Sequence, residues 1–144
     1  MRWVKWAVAI FASLVVAAVA VTFFQIYRDR EILALAHAGA NLGMQVAGRL
    51  LSAAPGQGRW PEDGAKYLPG GVKSLPAQVE SIQVVQEGLV RVTFNAPDEL
   101  RGKAVEIRTI GKDGKFLYEC RAPGIHRGLV PGICKPDAKA YPVK

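Results

Sequence analysis

Two cysteines, Cys120 and Cys134, stand close together near the C-terminus of a 144-residue chain. Such a pair suggests a disulfide, and with it an oxidising compartment. A zinc site would need about four ligands, and His126 is the only histidine near them. The other histidine, His37, lies among small residues and reads as a solvated or packing side chain. Asp98 and Glu99 are adjacent carboxylates able to hold a cation, but in a loop two such neighbours usually face water. No nucleophile–base pair and no phosphate-binding glycine motif is visible. The expectation is therefore a non-enzyme with no cofactor and no metal site.

What remains is charge. The net charge is +7, and the part after Ala54 holds fourteen basic residues against ten acidic ones. Arg121–Lys144 alone has five basic residues and a single acid, Asp137. The plain reading is a solvated surface. The sharper one is an anion-facing patch of Arg121, Arg127, Lys135 and Lys139, for nucleic acid or anionic lipid.

These residues need a scaffold, and half of the residues are hydrophobic. Much of that share lies in one run, Trp6–Phe24, which holds no charge and no proline and only Ser13 and Thr22 as polar residues. About 20 apolar residues cross a bilayer core as a helix, whose backbone groups are satisfied internally. A cleaved signal peptide would have a shorter apolar core and a small-residue cleavage site; here bulky Phe23, Phe24, Ile26 and Tyr27 close the run. Nothing later in the chain is large enough to bury it in a soluble fold. Arg2 and Lys5 precede the run, while Arg28 and Arg30 follow it, so the basic count does not set the orientation. The cysteine pair does, placing the C-terminal domain outside the cytoplasm.

Helical periodicity continues beyond the membrane. Ile32, Leu35, Leu42, Val46 and Leu50 form an apolar stripe in a proline-free stretch. Gly39, Gly43 and Gly48 weaken the helix but flatten it for close approach of another element. Ala54-Pro55-Gly56 ends it. The expected organisation is an anchor at 1–27, an amphipathic helical half at 28–54, a Gly- and Pro-rich loop at 55–78 pinned by Trp60 and Tyr67, and a sheet domain at 79–144.

From Val79 the period becomes two. Ile82 and Val84, then Val90, Val92 and Phe94, alternate on either side of the turn Gln86-Glu87-Gly88. A third strand fits Ala104–Ile110, Gly111-Lys112-Asp113-Gly114 is a hairpin turn, and a fourth strand fits Lys115–Cys120. The fold class is α+β: a long N-terminal helix, half of it transmembrane, packed on a four-stranded antiparallel sheet.

Taken together, the chain resembles the type IV pilins over nearly its whole length. Ala17-Ala18-Val19-Ala20-Val21-Thr22-Phe23-Phe24-Gln25-Ile26-Tyr27 resembles the family's small apolar stretch followed by Gln-x-Tyr. Arg59-Trp60-Pro61, Leu100-Arg101-Gly102-Lys103, Tyr118-Glu119-Cys120 and Leu129-Val130-Pro131-Gly132-Ile133-Cys134 resemble further family motifs, in the family's order. The chain departs from the pattern in three ways. No leader ending in Gly precedes Met1, Lys5 stands where the family places a Glu, and Thr22 replaces a helix-bending proline. The resemblance implies a structural or assembly role in a type IV pilus or related envelope machine, with pilin subunits, pilus assembly proteins and the lipid bilayer as partners. It implies a single-pass inner-membrane protein with a periplasmic or extracellular C-terminal domain. Two variants of the expectation are a DNA-binding pilin for DNA uptake, and an unprocessed partner that regulates or blocks assembly through Lys5.

Overall fold

A computed structural model describes residues 2–53 and 62–143. The expected helix stop Ala54-Pro55-Gly56 and the loop residues Arg59-Trp60-Pro61 lie outside the described residues, as does Met1. The chain divides into two compact units, Met1–Glu31 and Ile32–Lys144. Helix α1 (Arg2–Ala53) supplies the first and opens the second.

In the first unit every described side chain from Trp3 to Glu31 is exposed. This is the one helix among the described residues that is long and apolar enough to cross a membrane. Its two polar side chains are satisfied from within. The Ser13 hydroxyl donates to the Ala9 carbonyl and the Thr22 hydroxyl to the Ala18 carbonyl, each at 2.9 Å. Neither presents an unmet donor to lipid, where one is costly. Trp3 and Trp6 near one end, and Tyr27 near the other, are the residue types that settle at membrane–water boundaries. These features fit single-pass anchoring.

In the second unit the rest of α1 covers one face of an antiparallel sheet. The strands are β1 (Val79–Val85), β2 (Leu89–Phe94), β3 (Ala104–Lys112), β4 (Lys115–Arg121) and β5 (Tyr141–Pro142), in spatial order β1-β2-β3-β4-β5. Five strands replace the expected four. The added one is two residues long and contains a proline, so it carries no alternation to read; its register, Leu117 to Pro142 and Tyr118 to Tyr141, arises when the chain end returns to the β4 edge. Proline is tolerated there because an edge strand needs no outward N–H. The β3–β4 hairpin is also tighter than expected. Lys112 pairs with Lys115, and the turn is Asp113-Gly114, both at positive φ.

Alternation along β2 and β3 buries Val90, Val92, Phe94, Val105 and Ile107 against the helix. The helix answers with small residues as much as large ones. Ile32, Ala36, Ala40, Val46, Ala47 and Leu50 are buried, while Leu35 and Leu42 of the expected stripe sit half-buried beside them. Gly39 lies against the Phe94 ring, and a Cβ on Gly43 would come within 2.7 Å of Ile107. The expected close approach is thus made by packing against the sheet itself, Gly48 meeting the Tyr118 hydroxyl of β4.

The described part of the loop forms two short 3-10 turns, Ala65–Tyr67 and Gly71–Ser74. It is held by buried Ala65 and Leu68 and by half-buried Tyr67. It also lines the outer edge of β1, through Gly64 N–H to the Ile82 carbonyl (2.8 Å) and Val84 N–H to the Glu62 carbonyl (2.9 Å).

The sheet face opposite the helix is charged. Arg91, Glu106 and Arg121 lie opposite one another across β2, β3 and β4, and Arg108 lies opposite Glu119 in the next row. Arg91 and Glu106 are in contact at 2.8 Å and Arg121 and Glu119 at 3.5 Å.

A candidate groove beside the disulfide loop

The pleat of β4 points Cys120 to the same face as its cross-strand partner Ile107. There it is bonded to Cys134, with Cα atoms 4.4 Å apart. The loop between them and the segment just after it combine buried anchors with exposed cations. Ile125, Leu129, Val130 and Cys134 are buried in the core. Arg121, Arg127, Lys135 and Lys139 are exposed.

His126 has a local task. Its Nδ1 accepts the Gly128 backbone N–H at 3.2 Å, capping the 3-10 turn Arg127–Leu129. This fixes the turn that carries Arg127. His37 is exposed on α1. Asp98 is engaged by Arg101 at 2.8 Å, both exposed. Among the described residues no three His, Cys, Asp or Glu side chains gather as a metal site.

The four basic residues singled out in the sequence line one groove of about 1000 Å³. It runs between β4 and the segment that follows Cys134. Its apolar lining includes Tyr118, Ile125, Val130 and Ile133, and Glu106, Glu119 and Asp137 also border it. The carboxylates do not cancel the cations evenly. Glu106 is held by Arg91, and Glu119 reaches Arg121. Arg127, Lys135 and Lys139 pair with no carboxylate among the described residues. The apolar lining escaped sequence reasoning because the segment after β4 has no regular period. The only clue was the apolar content of Leu129–Cys134.

A second concavity of about 650 Å³ lies where Asn41, Gln45 and Arg49 of the helix face Tyr118 and Tyr141. Gly48 leaves room there for the Tyr118 hydroxyl. Burial raises the Tyr118 pKa above the usual phenol value, because the phenolate would lose hydration. Lys5 is exposed on α1 in the first unit.

The groove of about 1000 Å³ thus sets exposed cations beside apolar side chains in one open concavity. No protein-family model matches the chain, and no curated protein matches it.

Proposed function

We propose that this chain is a membrane-anchored, type IV pilin-like protein with a structural or assembly role in an envelope machine, its C-terminal unit outside the cytoplasm. The observation that carries the reading is α1: one helix that is uncharged and exposed from Trp6 to Phe24, and whose later stretch is packed through Gly39 and Gly43 onto an antiparallel sheet. A secreted or cytosolic binding module has no need of the first stretch. The disulfide beside the sheet edge supports an oxidising location.

Lys5 favours a regulatory version of this role. A cation near the end of an apolar span reaches the membrane surface at little cost when alone. Packed beside a second copy it meets a like charge; packed beside a helix with a carboxylate at that depth it gains a partner. The role is therefore that of a partner to ordinary pilins more than that of a bulk subunit.

The test has three readouts. The protein should resist carbonate extraction. A C-terminal alkaline phosphatase fusion should be active, and a cytoplasm-dependent reporter silent. Cysteine pairs placed along residues 3–24 should crosslink to a Glu-bearing pilin expressed beside it. A freely soluble native protein, or one that crosslinks to no pilin, defeats the proposal.

A further inference from the structure

The geometry points to the groove at the β4 edge as a docking site for an extended, acidic peptide segment of a partner protein, which adds one β-bridge at Cys120. The inference needs only the fold of the second unit, and holds whether or not the chain works with pilins.

The first ground is an unfinished ladder. A two-residue turn between Lys112 and Lys115 sets the phase of the β3–β4 hairpin, in which facing residues alternate in the direction of their main-chain groups. Phe116, Tyr118 and Cys120 therefore turn their N–H and C=O away from β3. Phe116 is met by the Val143 N–H at 3.0 Å, and Tyr118 pairs with Tyr141. The pairing stops there, and Lys135–Ala140 borders the groove without joining the ladder. No described residue takes up the main-chain groups of Cys120. An incoming strand is the usual answer to such an edge.

The second ground is charge. Arg127, Lys135 and Lys139 border the same groove without a carboxylate partner among the described residues. Cations held around a concavity with low-dielectric walls focus their field on whatever enters it. Ile125, Val130 and Ile133 lie beneath them and suit the alternate apolar side chains of an extended segment.

These features favour a peptide over a nucleic acid. A phosphate backbone brings a continuous line of negative charge, and Glu119 and Asp137 stand among the cations where that line would pass. A peptide places its carboxylates at intervals and leaves those positions uncharged. The Cys120 N–H could donate to a phosphate oxygen, but its C=O finds no donor there, whereas a strand satisfies both groups.

The experiment uses the full-length protein in zwitterionic nanodiscs and a fluorescent, end-blocked peptide of alternating Glu and Val. Three further probes accompany it: the Lys–Val counterpart, the Glu–Val peptide N-methylated at its central residue, and a single-stranded oligonucleotide of equal charge. Anisotropy at low salt should show saturable binding of the Glu–Val peptide, weakened by added salt. The triple variant R127Q/K135Q/K139Q should weaken it about tenfold, as expected for three exposed charge contacts. Those side chains are exposed and unpaired, so the fold should persist. As a second variant, R127E/K135E should prefer the Lys–Val peptide. N-methylation should weaken binding by a similar factor, and hydrogen exchange should slow at the Cys120 amide. Failure of the Glu–Val peptide to bind, indifference to either variant, or indifference to N-methylation would each overturn the proposal. Tighter binding of the oligonucleotide than of the peptide would overturn it in favour of nucleic acid.

Discussion

The Tyr118 hydroxyl lies over Gly48, close enough that a Cβ there would come within 2.7 Å of it. Gly39 faces the Phe94 ring in the same manner, but the two neighbours differ in freedom. Phe94 is 1% exposed and boxed in by the core, while the Tyr118 hydroxyl is the far end of a half-buried ring. Gly39→Ala should therefore destabilise by about 1–3 kcal/mol through overpacking, despite an intrinsic helical gain of roughly 1 kcal/mol. Gly48→Ala should change stability by less than about 1 kcal/mol, since its helical gain offsets a small shift of the ring. Denaturant unfolding of the two variants checks the order, and the reverse order would refute this account of the interface.

The raised Tyr118 pKa has a definite sign in stability. Folding favours the neutral phenol. Its contribution is fully present below the unfolded value of about 10 and is lost as pH rises through the higher folded value. The difference in melting temperature between the wild type and Tyr118→Phe should be flat from pH 7 to 9 and should move against the wild type above about pH 10. A difference that stays flat to pH 11.5 would mean that the ring is hydrated when ionised.

Opening the Cys120–Cys134 bond should cost about 3 kcal/mol in the chain-entropy account for a loop of this size. Both thiols of freshly isolated protein should resist alkylation until reduced. The double variant C120A/C134A should show the stability loss, together with faster hydrogen exchange across Arg121–Lys135. Two free thiols in the native protein would contradict the bond.

Val16→Arg places a charge in the middle of the apolar stretch, at a cost of roughly 2.5–3.5 kcal/mol on insertion-based scales. The fraction resisting carbonate extraction should fall sharply. The control is Ala34→Arg, at an exposed site in the second unit. Equal extraction of both variants would count against a membrane role for Trp6–Phe24.

Under the proposed role, Lys5→Glu should raise self-crosslinking between residues 3–24 of neighbouring copies and lower crosslinking to a Glu-bearing pilin. Efficient homotypic crosslinking that ignores the substitution would show that charge at this position does not select the neighbour.

The elements visible in the sequence were those with a period. The stripe from Ile32 to Leu50 and the alternation of Val90, Val92 and Phe94 each declare the face they bury, and the apolar run declares a helix of membrane-spanning length. The helix seam was only half visible, because Ala36, Ala40 and Ala47 are as common on exposed helix faces as on buried ones. β5 was invisible, being two residues placed by where the chain end returns. The four cations of the groove were visible as composition. Their shared concavity, its apolar lining and the unpaired edge at Cys120 depend on a path from Lys135 to Ala140 that no local pattern encodes.

The alternating rows on the open sheet face bear on how the unit is sensed from afar. Arg91, Glu106 and Arg121, with Arg108 opposite Glu119, set unlike charges a few ångströms apart, so their fields cancel over distances comparable to that spacing. At physiological salt screening leaves a reach of about 8 Å. An approaching molecule therefore meets a nearly neutral checkerboard on this side. Arg127, Lys135 and Lys139, without a carboxylate partner among the described residues, instead concentrate positive charge beside one concavity, where a field of one sign acts at longer range.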